Sequence, residues 1–167
     1  MPISRIPGAG IDTGSSGVAQ SNLATGVAGT GPAFSAYISA TQSISAATNT
    51  KVQFNAENFD TASCFDSSTN YRFTPNVSGY YFVQSAIFFN ASNGNSITSL
   101  FKNGANIAEL ARLNISSGAQ TPSGSYLVYM NGTTDYLEVY AYATNATTIG
   151  NSGAPFAYFN GFLARAA

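Results

Sequence analysis

The chain predicts an all-β fold, a single sandwich or jelly-roll domain carried behind an extended N-terminal arm, and three observations predict it. From Phe34 onward, short runs rich in Val, Ile, Thr, Tyr and Phe alternate with Gly, Pro, Asn and Ser clusters, the pattern of strands separated by turns. Helical periodicity is weak throughout. The one segment resembling a helical turn, Ile107 to Leu113, is so short between turn signals that it reads as a strand. The first 32 residues show neither a period of 2 nor one of 3.6.

Residues 1–32 are therefore read as an arm and residues 33–167 as the domain. The arm is Gly, Ala, Ser and Thr with scattered apolar residues, a composition that cannot build a core of its own. Its apolar positions Ile3, Ile6, Ile11, Val18, Leu23 and Val27 are expected to lie on a partner surface. Strands are expected near 33–38, 51–55, 70–74, 79–90, 96–102, 106–112, 124–131, 134–143 and 156–164. Asn103-Gly104 and Asn131-Gly132 are hairpin-type dipeptides, because both residues tolerate the positive φ of tight turns, and Ser78-Gly79 precedes the longest strand.

That longest strand is apolar on both alternating faces. Tyr80, Phe82, Ala86 and Phe88 fall on one side, and Tyr81, Val83, Ile87 and Phe89 on the other. The run 156–164 repeats the feature, with Phe156, Tyr158 and Phe162 opposite Phe159 and Leu163; Tyr126 to Met130 does so more briefly. A strand wetted on one side alternates apolar with polar residues, so these strands are expected to be covered on both faces. One sandwich has one interior, and the second face is expected to meet another subunit. Tyr80, Phe82, Phe88, Tyr158 and Phe162 are the candidate interface residues. The competing reading lays the Tyr rings flat on the surface with their hydroxyls in water.

Composition narrows the partners. Charged residues are 8% of the 167, and the net charge is −1. That is no footprint for nucleic-acid phosphates or anionic lipid, so neither nucleic acid nor a membrane is an expected partner. Apolar residues, at 44%, suffice for a core, and solubility falls to Ser, Thr, Asn and Gly. Cys64 is the single cysteine, which excludes an intrachain disulfide and reads as a buried, inert thiol. The N-terminal segment lacks the apolar core of a secretory signal, and no stretch approaches the roughly 18 apolar residues of a membrane span. Synthesis in a cytoplasm is expected. The sequons at Asn76, Asn90, Asn114, Asn131 and Asn145 are the product of a chain rich in Asn, Ser and Thr.

Catalytic chemistry is not expected. Asp12-Thr13-Gly14-Ser15-Ser16 spells an aspartic-protease motif, but that chemistry needs two aspartates sharing a proton, each held by an apolar strand and turn. No second motif exists: the other aspartates begin Asp60-Thr61-Ala62, Asp66-Ser67-Ser68 and Asp135-Tyr136-Leu137. The chain has no histidine, which removes the usual general base, the nucleophilic triads and His-based metal sites together. Gly26, Gly29 and Gly31 lack dinucleotide-loop spacing. Glu57, Asp60, Asp66 and Glu138 form no recognisable calcium loop, so no metal and no cofactor are assigned. Tyr136, Glu138, Tyr140 and Tyr142 share one strand face, which fits packing beneath a loop or against a neighbouring copy better than presentation of rings to a sugar.

Four motifs resemble the C1q-like domain of the C1q and tumour necrosis factor superfamily. Gly31-Pro32-Ala33-Phe34-Ser35-Ala36-Tyr37 is similar to its first strand, and Phe73-Thr74-Pro75-Asn76-Val77-Ser78-Gly79-Tyr80-Tyr81-Phe82 to its central signature. Leu100-Phe101-Lys102-Asn103-Gly104 resembles its hairpin, and Phe159-Asn160-Gly161-Phe162-Leu163 its closing motif, with Asn160 in place of Ser. The motifs fall in the family's order over residues 33–164. The resemblance implies a ten-stranded jelly roll assembling as a homotrimer. Collagen repeats, a signal peptide and a second cysteine are absent, and the arm from Ser21 to Gly31 is similar to that of C1q-like proteins encoded by bacteriophages.

The resemblance thus implies a virion structural protein. The leading expectation is a capsid decoration or cement protein, a trimeric knob at the virion surface whose arm threads over the phage capsid. The alternative is a tail or head fibre knob binding a host-surface glycan or protein through loops near Asn93 to Asn95 or Thr144 to Ser152.

Overall fold

The computed structural model describes residues 31–150 and 155–167. The six apolar arm positions and the Asp12-Thr13-Gly14 motif lie outside the described residues, as do Asn151 and Ser152. The described residues are all-β. Thirteen strands follow one another: β1 Ala33–Tyr37, β2 Gln42–Ile44, β3 Thr50–Lys51, β4 Ala56–Asp60, β5 Phe65–Asp66, β6 Arg72–Phe73 and β7 Gly79–Ala86. After them come β8 Gly94–Lys102, β9 Ala105–Ile115, β10 Ser123–Met130, β11 Leu137–Ala143, β12 Thr147–Ile149 and β13 Tyr158–Ala166.

Two sheets form the sandwich. One has the order β10-β7-β13-β1-β4, and the other β5-β6-β11-β8-β9 with β3 also on β11; β12 and β2 make a separate ribbon. All named strand pairs are antiparallel. The count exceeds ten because short pieces of strand, β2, β3, β5, β6 and β12, are set off by turns.

The core is built where the inward residues of the two sheets meet. Phe34 from β1 stacks on Phe73 of β6 at 4.3 Å and on Phe65 of β5 at 5.0 Å, and Phe159 of β13 meets it edge-on at 4.9 Å. Each such ring, fully removed from water, contributes up to about 3 kcal/mol. Tyr81 is buried beside them, and its hydroxyl donates to the Val77 carbonyl at 2.8 Å, which satisfies the one polar atom it brings inside. Cys64 is buried as expected, and that burial pushes its thiol pKa up.

The turn chemistry holds in one place and not in another. Asn103 at φ 53° and Gly104 at φ 79° close the β8–β9 hairpin, with Lys102 opposite Ala105. Asn131-Gly132 makes no hairpin: it carries the chain from β10 in one sheet to β11 in the other. The Asn131 Oδ1 accepts the backbone N–H groups of Thr133, Thr134 and Asp135, and so builds an Asx-capped crossing.

Several strand boundaries also move. Of the expected strand 51–55 only Lys51 is in a strand, β3; residues 52–55 link it to β4, which was not expected, and Val52 and Phe54 are buried in that link. The strand from residue 79 stops at Ala86; Ile87 and Phe89 stay buried, and Phe89 bridges to Gln120 and Ile149. The strand expected from residue 134 begins at Leu137, because Asp135 is engaged by Lys102, Asn103 and Asn131. On the far side of the sandwich β10 lies against β9. A Cβ on Gly124 would collide with the Leu110 carbonyl, so glycine lets the two strands meet.

Candidate functional site

The register of the five-stranded sheet assembles its outer face row by row. Tyr129, Tyr80 and Arg165 form one row; Leu127, Phe82, Phe162 and Ala33 form the next. Below them lie Ser125, Gln84, Asn160, Ser35 and Phe59, and then Ser123, Ala86, Tyr158, Tyr37 and Ala56. Inward neighbours such as Tyr81, Val83 and Phe159 are fully buried. Among the outward residues Ala86 and Ser35 are also buried, but the large side chains are open: Leu127 is 57% exposed, Phe162 50%, Tyr80 45% and Tyr129 44%, with Phe82 at 36%.

Each strand is therefore apolar on both faces because one face is core and the other is open. The rings already gather within the chain, Phe82 beside Phe162 at 5.7 Å and Tyr80 edge-on to Tyr129 at 5.6 Å. At roughly 200 Å² per aromatic side chain and about half exposure, these five residues present on the order of 400–500 Å² of contiguous apolar surface. Isolated exposed hydrophobics need no explanation, but a contiguous patch of this size on a charge-poor face is the chain's candidate interaction surface. Arg165 is the one charge in the four rows.

Of the five sequence-based interface candidates, the structure brings Tyr80, Phe82, Phe162 and Tyr158 onto this face. Phe88 is not among them. It lies past the end of β7, half-buried, and meets Phe156 at 5.5 Å in an open apolar pocket of about 340 Å³ lined also by Thr121, Pro155 and Tyr158. Leu127 and Tyr129 belong to the face and were not singled out from sequence. The signal was present in their alternation with buried Val128 and Met130, but their place beside Phe82 and Tyr80 depends on which strand pairs with which.

One polar atom on this face is out of place. The side-chain Oδ1 of Asn160, in the middle strand of the sheet, is buried and accepts no hydrogen bond. A buried acceptor left unpaired costs about 1–3 kcal/mol. Its row neighbour Ser35 instead accepts from the Asn58 Nδ2 at 3.0 Å.

The outer face of the other sheet is internally engaged. Glu138 is buried and its Oε1 takes the Lys51 ammonium at 2.6 Å; Tyr140 stacks with Phe101 at 4.0 Å, and the Arg72 guanidinium lies 4.4 Å above the Tyr136 ring. Tyr136, Glu138 and Tyr140 are thus engaged by Arg72, Lys51 and Phe101 of the same chain. At one end, the two candidate loops do come together. Asn145 Nδ2 donates to the Asn93 carbonyl at 2.6 Å, and the Asn95 N–H to the Thr144 Oγ1 at 2.9 Å. Among the described residues, no three His, Cys, Asp or Glu converge on a common point, and no helix is long and apolar enough to cross a membrane.

A sandwich of this topology, with Phe34 at its centre and a Gly-Phe-Leu closing strand between β7 and β1, invites comparison with known proteins. The family model for the C1q domain matches residues 33–164. The chain belongs to the C1q domain family. Solved structures agree on the fold. The globular domain of zebrafish complement 1qA protein has a TM-score of 0.63 at 21% identity, covering 82% of this chain and 100% of that one. The Eiger TNF of S. frugiperda has a TM-score of 0.63 at 12% identity, covering 81% and 92%. The PRD1 vertex protein P5 has a TM-score of 0.58 at 15% identity, covering 79% and 96%. Among curated proteins, none matches the chain by sequence. C1q and tumour necrosis factor-like domains are generally binding or structural proteins and not enzymes.

Proposed function

We propose that this C1q domain is a virion structural protein, a decoration or cement protein that stands as a homotrimeric knob on a phage shell and is anchored by its N-terminal arm. The observation that carries the assembly is the open aromatic face of Tyr80, Phe82, Leu127, Tyr129 and Phe162. Domains of this family typically form homotrimers, and burying this face between copies removes the patch from water. Likeness to the PRD1 vertex protein supports a place on a shell. Trimerisation makes three arms available at once, so weak apolar contacts from Ile3, Ile6, Ile11, Val18, Leu23 and Val27 add multivalently. No electrostatic complement is needed, which suits a chain with 8% charged residues.

The test is binding of the purified chain to shells that lack it and to host cells, with an arm-deleted version alongside. Saturable, arm-dependent binding to shells that raises their resistance to heat supports the cement role. Binding to cells with or without the arm, and none to shells, overturns it in favour of a fibre knob, whose binding loops would be the Asn93–Asn95 and Thr144–Asn145 pair.

A further inference from the structure

We infer that Asn93-Gly94, at the entry to β8, is a self-modification site: the chain cyclises there to a succinimide and is hydrolysed to aspartate and isoaspartate, with the Asn145 amide assisting. The reaction needs water alone, so neither a partner nor an assembly is involved.

The dipeptide Asn-Gly occurs four times, at Asn93, Asn103, Asn131 and Asn160. In an unfolded chain the four react alike, because glycine leaves the attacking backbone nitrogen unshielded and the peptide free to turn. The fold separates them. Asn103 donates from Nδ2 to the Asp135 Oδ1 at 2.8 Å, and its Oδ1 accepts the Tyr136 N–H at 2.9 Å. Asn131 accepts three backbone N–H groups and donates to the Thr134 Oγ1 at 2.8 Å. Asn160 lies in the middle strand of its sheet, with Gly161 paired to both Val83 and Phe34 and its own Oδ1 shut away from water. Asn93 is exposed, and among the described residues its side chain has no hydrogen-bond partner. Nothing holds its Cγ away from the Gly94 nitrogen.

Asn145 helps the attack. Its Nδ2 donates to the Asn93 carbonyl at 2.6 Å. That carbonyl belongs to the same peptide as the Gly94 nitrogen, so a donor on its oxygen stabilises the negative charge left when the Gly94 N–H gives its proton to hydroxide. The nitrogen then bonds to the Asn93 Cγ, the Cγ–Nδ2 bond breaks, and ammonia leaves with a proton taken from water. Water next adds to one of the two ring carbonyls and breaks one ring C–N bond, which leaves an α- or β-linked aspartate. The sum is amide plus water to carboxylate plus ammonium, with no redox change. Gly94, at φ 94°, opens β8 opposite Ile115. The β-linked product therefore adds a methylene to the backbone at the head of that strand. Either product sets a carboxylate at the end of the sandwich where Thr144 and Asn145 meet Asn93 and Asn95.

The experiment is incubation of the folded full chain at mildly alkaline pH, followed by tryptic mapping with fragmentation that separates aspartate from isoaspartate. Cleavage at Lys102 and Arg112 puts Asn93 and Asn103 in different peptides. Asn93 is expected to convert at least about tenfold faster than Asn103, Asn131 or Asn160, which must first break two or more hydrogen bonds or a strand pairing. In denaturant the four rates are expected to converge. Asn145→Ala, a change at an exposed loop residue, is expected to slow Asn93 in the folded chain by about tenfold. A folded chain in which Asn93 converts no faster than the other three overturns the site. Selectivity for Asn93 that persists in denaturant overturns the role of the fold, and an Asn145→Ala chain that converts at the wild-type rate or faster overturns the assistance.

Discussion

Replacing Phe162 by alanine tests the aromatic face at a half-exposed ring beside Phe82. The side chain is 50% exposed in the single chain, so of the roughly 200 Å² of a phenylalanine about 100 Å² is left for a neighbour to cover. At about 25 cal/mol per Å² this is ~2.5 kcal/mol for each copy. Three copies lose it together, on the order of 7 kcal/mol per trimer, or about 10⁵ in the three-body association constant. Because the midpoint concentration of a trimer varies as the inverse square root of that constant, it rises by about 300-fold. The fold itself is expected to lose only about 1 kcal/mol, the edge of the ring's contact with Phe82. Sedimentation equilibrium over a dilution series measures the midpoint, with Leu113→Ala as control, since Leu113 is 41% exposed on β9 in the opposite sheet. An unmoved midpoint in Phe162→Ala, or an equal shift in Leu113→Ala, would refute the assignment of the face.

Three further outcomes are expected. Phe34→Ala removes the ring on which Phe65, Phe73 and Phe159 converge and is expected to cost about 3–5 kcal/mol in denaturant unfolding; a loss under 1 kcal/mol would mean that the core is not centred there. Gly124→Ala drives a methyl into the Leu110 carbonyl and should lower Tm by several degrees through the β9–β10 contact, whereas an unchanged Tm would show that the strands part without cost. Asp66 accepts the backbone N–H of Thr69, and also those of Ser68 and Asn70 and the Asn70 amide, which together hold its pKa well below the usual carboxylate range against the opposing effect of burial. Its folded pKa being depressed, its contribution is present above the unfolded value of about 3.9 and lost as pH falls below it. Asp66→Asn should thus be less stable than wild type at pH 7, with the difference vanishing in acid; a constant difference down to pH 2 would contradict this.

The parts of the fold legible in the sequence were those set by local rules. Asn103-Gly104 marked its hairpin because both residues must take positive φ. The open face was visible because Tyr80 and Phe82 alternate with Tyr81 and Val83, leaving no polar side for water. What escaped depended on pairing across the chain. Asn131-Gly132 is the same dipeptide as the hairpin turn, yet the strands it joins belong to different sheets, which local composition cannot express. Phe88 shares the parity of Tyr80 and Phe82, but parity lapses where β7 ends at Ala86 and the backbone bends to bridge Gln120 and Ile149. Leu127 and Tyr129 became part of the face only once β10 was placed beside β7. Short β2 and β12 pair across more than a hundred residues and carry no run long enough to show a period.

The closing strand β13 sits in the middle of its sheet, between β7 and β1, with Phe162 opposite both Phe82 and Ala33. A ribosome delivers that strand last of the thirteen. Until residue 166 has emerged, β1 and β7 each expose an unpaired edge beside half of the core, and no earlier strand can fill the gap. Folding is therefore expected to wait for the end of the domain, and the nascent chain spends its synthesis in need of shelter from aggregation. The same delay keeps the aromatic face from forming early, so copies meet only as finished domains.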